Sequence, residues 1–343
     1  MIEPIRIAVP SKGHLCDGAL ELLKNSGYRV RRASDRQYEA TISGHPRFHV
    51  VFMRPTDIVD QVQVGRCHLG ITGMDVYAEH IDESASSVVV DSDLGYGGCR
   101  LVVAVPESWV DVDHMLDLVE LTHDFREQGR MFRVSTKYAH LVRAYFRKWG
   151  IYHYQLIASD GALELHPSLG IADIIVDLTS SGTTLKDNRL RELESGIVLD
   201  SAACLIGHRE SLRSLVAEGD QGPVALLLDA LDGLRASEGS LHLEVVGTTT
   251  GAEDSQDTAS RVAACLGDHG AQHVFRGAVW DSDSRAGWRV TALITNRQFV
   301  QCKRRLFALG ASRAVGLPTR FVFDRSSVPT FDRLAEALKA DPA

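Results

Sequence analysis

The stretch Ile174–Asn188, IIVDLTSSGTTLKDN, carries three consecutive apolar residues into a cluster of hydroxyl side chains around one glycine. An apolar strand (Ile174, Ile175, Val176) thus ends in a loop of small residues, which leaves backbone N–H groups free to converge on a phosphate. Ser180, Ser181, Thr183 and Thr184 add hydroxyl donors, Gly182 permits the positive-φ turn that aims successive amides at one point, and no bulky side chain blocks an anion. Asp177 at the strand end repels phosphate but accepts hydrogen bonds from sugar hydroxyls. A carboxylate beside a hydroxyl-rich cradle predicts a site for a phosphorylated ribose. Ser/Gly/Thr clusters also form plain surface turns, so this loop by itself reads either way.

On both sides of the loop, the first two hundred residues alternate short β-branched runs with helical patterns, the signature of an α/β fold with mostly parallel sheets. Strands are expected at 5–9, 49–54, 69–72, 99–105, 132–135, 154–157 and 174–177. Helices are expected at 16–26, closed by Gly27 as a C-terminal glycine, and at 137–149, with Leu141, Val142, Tyr145 and Phe146 on one face. The chain leaves the first sheet near Gly97–Arg100, and a long strand over 196–206 carries it back. Two lobes joined by two crossings follow: lobe I from 1–100 plus 198–223, and lobe II, with the loop, from 101–197. In such a fold ligands bind in the cleft lined by strand C-terminal ends.

From 224 the pattern changes to a helix (225–236), a strand (241–246), a helix (257–268), two strands (273–280, 288–295), a helix (297–309) and a strand (314–323). The βαββαβ core of this series is a ferredoxin-like, ACT-like module. It contains no evident catalytic cluster, so regulation or assembly is its expected role. A last helix at 330–339 closes a terminal domain expected to span 224–343.

Composition narrows the function classes. With 44% hydrophobic and 24% charged residues among 343, the chain is an ordinary globular protein. Its net charge of −8, with no basic run, argues against nucleic acid as a partner. The start MIEPIRIAVPSKG lacks a signal peptide's basic and apolar regions, and no apolar window is long enough for a membrane span, so a cytoplasmic protein is expected. Cys16, Cys67, Cys99, Cys204, Cys265 and Cys302 are scattered without CxxC spacing and read as reduced thiols. The fourteen histidines are equally dispersed, and no zinc site is expected.

Seven segments in order resemble the long form of ATP phosphoribosyltransferase, the enzyme that opens histidine biosynthesis. They are IRIAVPSKGHL (5–15), RPTDI (54–58), LGITGMDV (69–76), DLGYGGCRLVVAVP (93–106), STKYAHLVRAYF (135–146), GALELHPSLGIADIIVDLTSSGTTLKDN (161–188) and SAACLI (201–206). The resemblance covers about the first 215 residues and, more loosely, the last hundred. It implies transfer of a phosphoribosyl group from phosphoribosyl pyrophosphate to N1 of ATP, with magnesium carried by the substrate phosphates rather than by protein ligands. It further implies a two-lobed, periplasmic-binding-protein-like catalytic unit, a hexamer in equilibrium with dimers, and histidine feedback through the terminal module.

Position by position, the resemblance implies that Thr179, Ser180, Ser181, Gly182, Thr183 and Thr184 hold the 5′-phosphate, while Glu164 and Asp177 receive the ribose hydroxyls. Lys12 and Arg36 face the pyrophosphate. Gly13, His14, Arg54, Asp57, Gly73, Asp75 and Arg100 form the acceptor rim, with Gly13, Gly73 and Gly161 serving as backbone requirements. Two features depart from the family. His14 stands where an arginine is usual and cannot offer the planar bidentate fork to phosphate oxygens. The stretch AQHVFRGAVWDSDSRAGW, 271–288, replaces a Pro-Thr segment with a longer polar turn. These departures leave room for a paralogue that serves another heteroaromatic acceptor. The two-lobed plan is also shared with non-catalytic small-molecule sensors.

Overall fold

The chain leaves one sheet at Asp91, builds a second, and re-enters the first at Ala203. The computed structural model describes residues 4–34, 37–81, 86–159, 161–248, 252–280, 286–324 and 328–339. Two units result: Met1–Leu228 with Pro329–Ala343, and Asp229–Val328.

Lobe I of the first unit contains β1 (Ile5–Pro10), α1 (His14–Asn25), β2 (Val30–Arg31), β3 (Glu39–Ile42), β4 (Phe48–Met53), α2 (Pro55–Gln63), β5 (Leu69–Gly73), α3 (Met74–His80) and β6 (Ser87–Asp91). Lobe II follows with β7 (Cys99–Pro106), α4 (Met115–Glu127), β8 (Phe132–Thr136), α5 (Ala139–Lys148), β9 (Tyr154–Ala158), β10 (Ile174–Thr179), α6 (Thr183–Asp187) and β11 (Leu190–Ser201). The return strand β12 (Ala203–His208) and α7 (Arg209–Val216) complete lobe I. The sheet orders are β2-β3-β4-β1-β5-β12-β6 and β11-β7-β10-β8-β9. In lobe I, β1 runs parallel to β4 and β5; in lobe II, β8 runs parallel to β9 and β10. Loops after those strands therefore collect at one edge of each sheet. The unit is two-lobed, as expected, but its sheets are mixed rather than mostly parallel: β2–β3, β3–β4, β5–β12, β12–β6, β11–β7 and β7–β10 are all antiparallel, because the crossing strands and the β2–β3 edge run against the parallel core.

The strand expected over 196–206 is in fact two strands in different sheets. β11 pairs with β7 up to Ser201↔Cys99, and β12 pairs with β5 from Ala203↔Gly73, so the single residue Ala202 carries the chain between lobes. The sequence hides this change of partner, because the chain stays extended through Ala202 and no Gly or Pro turn signal separates β11 from β12.

Helix α8 (Pro223–Ala236) crosses the boundary into the second unit, which contains β13 (Ser240–Thr248), α9 (Ala252–Asp268), β14 (Gln272–Trp280), β15 (Ala286–Thr295), α10 (Asn296–Ala308) and β16 (Arg313–Pro318). Its antiparallel order β14-β15-β13-β16 is the ferredoxin-like arrangement. Leu243, Val245, Val262, Leu266, Val290 and Leu306 fill the core. The last strand ends at Pro318, short of the expected 323, because Pro318 is followed by chain with no ladder partner among the described residues. Part of the polar turn, 281–285, lies outside the described residues.

The boundary expected at 224 falls within α8, and the last helix, α11 (Thr330–Lys339), belongs to the first unit rather than to the terminal module. Phe331, Leu334 and Leu338 follow i, i+3, i+7 spacing and are all buried. Arg213 Nε donates to the Leu338 carbonyl at 3.0 Å and Arg209 Nη1 to that of Ala337 at 3.0 Å, so α7 satisfies carbonyls that the helix end leaves open. Leu334→Ala should lower the stability of the first unit by about 2–4 kcal/mol, as expected for a buried leucine. Urea unfolding measures this, and an unchanged midpoint would show that α11 contributes nothing to that unit.

Candidate active site

Strand β10 sets the site by its alternation. Ile174 and Val176 point into the main core of lobe II with Leu101, Val103, Phe132 and Val134. Ile175 points to the other side, into a smaller cluster with Val102, Ala104, Leu163, Leu185 and Leu190. Side chains two apart share a face, so Asp177 and Thr179 continue the Ile175 side. Leu163 is the first residue of a short 3-10 turn, Leu163–Leu165, whose next residue is Glu164; Leu185 lies in α6, just after the loop. One apolar patch therefore anchors both Glu164 and the loop on the face that carries Asp177.

The loop has the predicted backbone. Gly182 has φ 73°, in the left-handed region, and its N–H donates to Thr179 Oγ1 at 2.9 Å. Ser181 Oγ and Thr183 Oγ1 lie 2.9 Å apart, and Ser180, Ser181, Thr183 and Thr184 are exposed. Gly161 is not the backbone requirement expected of it: the neighbouring Ala162 takes the left-handed conformation, φ 50°, at the entry to the turn bearing Glu164. Beyond that turn, Ser135 Oγ meets His166 Nδ1 at 2.7 Å, and Arg133 grips Asp173 through two nitrogens at 2.9 and 3.2 Å. These bonds fix the segment that leads into β10.

Burial raises the Asp177 carboxyl above the usual aspartate range, against the pull of the Leu178 N–H (2.8 Å) and the Lys137 ammonium; the Glu164 charge adds to the rise. Lys137 follows β8 directly, at the same sheet edge as the loop, and is a charged neighbour of Asp177 that residue-by-residue reading did not single out. Its only sequence signal is its place after an apolar strand, which many surface lysines share.

In lobe I the loops after β1, β4 and β5 bring Lys12, Gly13 and His14 together with Arg54, Asp57 and Gly73 along one edge, and Ser11 N–H donates to Met53 O at 2.9 Å. Lys12, His14, Arg54 and Asp57 are exposed. Gly13 caps α1 with φ 77°, whereas Gly73 has an ordinary extended conformation and is required for space: a Cβ there would stand 2.4 Å from Asp75 Oδ1. Arg36 lies outside the described residues.

Two expected rim residues are placed differently. Asp75 is only 5% exposed, with both carboxylate oxygens occupied by Tyr138 and Ser201, so it faces protein instead of acceptor. Arg100 lies in lobe II, opposite Thr179 in the β7–β10 ladder, and pairs with Glu192 at 3.0 Å. It lies beside the hydroxylated loop, where its charge offsets that of Glu192.

Gly182→Val places a β-branched side chain at positive φ, with its Cβ 3.3 Å from Glu192 Oε1. At about 1–3 kcal/mol of strain, affinity for a phosphoribosyl donor should fall roughly tenfold or more by calorimetry; unchanged affinity would show that the loop is not the cradle. A second expectation concerns pH. The folded Asp177 carboxyl titrates above its unfolded value, so its contribution to stability is present at low pH and declines as pH rises through the window between the two. Donor affinity is expected to have the opposite sign, because an ionised carboxylate is the better acceptor for the ribose hydroxyls that the resemblance assigns to Asp177. It should fall on acidification at a pH above the ordinary aspartate range, and Asp177→Asn should remove this dependence while raising the melting midpoint by about 1–3 °C. A midpoint that drops would assign Asp177 to the fold.

The family model described as HisG, ATP phosphoribosyltransferase, matches residues 54–232. The ATP phosphoribosyltransferase of Bradyrhizobium sp. strain ORS 278 is 38% identical over 231 residues, covering 67% of this chain and 70% of the relative. That of Brucella anthropi is 40% identical over 210 residues, covering 60% of this chain and 91% of the relative. Among solved structures, the ATP phosphoribosyl transferase (HisG:HisZ) complex from Thermotoga maritima has a TM-score of 0.49 at 24% identity, over 66% of this chain and 95% of that one. The periplasmic aliphatic sulphonate binding protein SsuA of Escherichia coli has a TM-score of 0.41 at 17% identity, over 69% and 75%. The matched family span includes Glu164, Asp177 and the whole phosphate loop, and on that match the chain belongs to the ATP phosphoribosyltransferase family.

Proposed function

We propose that this protein transfers the 5-phosphoribosyl group of phosphoribosyl pyrophosphate to N1 of ATP, releasing pyrophosphate, as the first step of histidine biosynthesis. The observation that carries the reading is the convergence of Glu164, Asp177 and the hydroxylated loop on one face of the lobe II sheet, in a chain of this family. In the reaction the bond from C1 to the pyrophosphate oxygen breaks, and the adenine N1 lone pair forms the new C1–N1 bond. Positive charge develops on the ribose between these events. Orientation and charge stabilisation supply the catalysis, and no protein nucleophile is required.

Thr179 to Thr184 hold the 5′-phosphate through amides and hydroxyls. Glu164 and Asp177 accept the ribose hydroxyls, and their negative charge favours the developing cation. The charge of Lys137 favours the ionised form of Asp177, against the burial that raises it. Lys12 and Arg36 take the leaving pyrophosphate; Gly13, His14, Arg54, Asp57 and Gly73 line the acceptor side. Magnesium enters with the phosphates of the donor substrate. The family model ends at residue 232, and the terminal module is assigned regulation and assembly from its ferredoxin-like architecture. A cytoplasmic, oligomeric enzyme subject to feedback completes the reading.

Pyrophosphate release from phosphoribosyl pyrophosphate, magnesium and ATP tests it. Turnover that falls at least about a hundredfold in Asp177→Asn, with the fold retained, is expected for loss of a charge used in the transition state. Turnover only with another heteroaromatic base would point to His14 as a mark of altered acceptor choice. Donor binding without turnover would make the chain a sensor.

A further inference from the structure

One face of α3 holds the two lobes together. Asp75 and Glu79 stand four residues apart and project from the same side of this helix. Tyr138, the residue that opens α5 in lobe II, donates its hydroxyl to Asp75 Oδ2 at 2.7 Å; Ser201, at the end of the crossing strand β11, donates to Oδ1 at 2.8 Å. The Asp75 N–H returns to Ser201 Oγ at 3.0 Å. Glu79 accepts the N–H groups of His140 and Leu141 at 2.8 and 2.9 Å. These are second and third residues of α5, whose own N-cap side chain makes no capping bond, so lobe I supplies the cap for a lobe II helix.

The same turn faces the donor site. Lys137 and Tyr138 are consecutive, the Lys137 ammonium lies 5.2 Å from the centre of the Tyr138 ring, and the charge of Asp177 is felt at both. Tyr138 thus reaches to lobe I while its neighbour serves the carboxylate assigned to the ribose. Tyr138 and Asp75 are 3% and 5% exposed, which leaves neither free to touch substrate.

We propose that the Asp75–Tyr138 hydrogen bond is a positioning contact for the transfer step, fixing the angle at which lobe I presents the acceptor to the anomeric carbon held on lobe II. The proposal rests on the phosphoribosyl-transfer reading. The groups assigned to the ribose and its 5′-phosphate lie in lobe II, while those assigned to the acceptor, with Lys12 on the pyrophosphate, lie in lobe I, so the attack distance is set by contacts between lobes. A misplacement of about 1 Å is enough to cost a hundredfold in rate.

Tyr138→Phe keeps the ring in its packing and removes one hydroxyl, and it is measured in the full-length protein beside Asp75→Asn and the double variant. The expected result is a fall in kcat of about tenfold or more in Tyr138→Phe, with donor affinity, read by calorimetry without ATP, changed by less than about twofold. The double variant should lose little beyond the worse single one, since both remove the same bond. An unchanged kcat, losses that add fully in the double variant, or a donor affinity that falls in step with kcat would each overturn the proposal. Wild-type protein that binds donor but fails to turn over ATP would instead overturn the transfer reading. Should Asp75→Asn fail to fold, the split between kcat and donor affinity in Tyr138→Phe decides alone.

Discussion

A small apolar patch on one side of the lobe II sheet governs the joint placement of Glu164, Asp177 and the hydroxylated loop. Ile175 supplies its centre, with Val102 and Ala104 from the neighbouring strand. Leu163 and Leu185 press onto it from the segments before and after β10, each fully committed to the patch at 3% and 5% exposure. The consequence is geometric. Glu164 follows Leu163 directly, and the hydroxylated loop ends just before Leu185, so two segments twenty residues apart share one support. Asp177, two residues beyond Ile175, rises from the edge of the same support. Loss of the patch would leave the carboxylates and the loop intact in sequence but without a common frame.

The cleft follows from a change of sheet that costs almost no chain. At one crossing Ala202 alone separates β11 from β12; at the other the segment from Ser92 to Gly98 separates β6 from β7. Such short links bring the lobes together, and the α3 face adds hydrogen bonds between them: Asp75 grips both the crossing strand and α5, while Glu79 closes the amides of the first turn of α5. A buried carboxylate is expensive unless its lone pairs are filled. Here two hydroxyls fill them, Tyr138 from the start of α5 and Ser201 from the end of β11, and their arrival from lobe II at a carboxylate of lobe I turns a local requirement into a constraint between lobes.

The strand periods of lobe II and the loop itself were legible in the residues because they depend on local rules. Ile174–Val176 are apolar on both faces of a buried strand, and Gly182 takes the positive φ its neighbours cannot take cheaply. The βαββαβ order of the second unit was legible for the same reason. Features fixed by tertiary partners were not. Residues 196–206 read as one strand because nothing local marks the exchange of partners at Ala202. Asp75 read as a rim residue because its sequence neighbours belong to the rim, and only the fold brings Tyr138 and Ser201 to it. Arg100 was assigned to the acceptor for want of the register that sets it opposite Thr179. The apolar stripe of α11 gave the helix but could not name α7 as its partner. Ala162 was hidden by Gly161, since a glycine beside a strained turn draws the assignment by its greater freedom.

Charge explains why the site tolerates so many acidic groups next to an anion cradle. Glu192 lies near Gly182, and Glu164 and Asp177 stand beside one another on the same face, an arrangement that opposes a phosphate and raises the Asp177 carboxyl. Arg100 answers Glu192, and Lys137 answers Asp177, one cation for each carboxylate nearest the loop. With the carboxylates so balanced, the loop amides and hydroxyls are left open to the anion proposed to bind there. The net charge of −8 is then no obstacle, because the field that matters acts over a few ångströms and is set by these pairs, while the more distant surface charges are screened by salt.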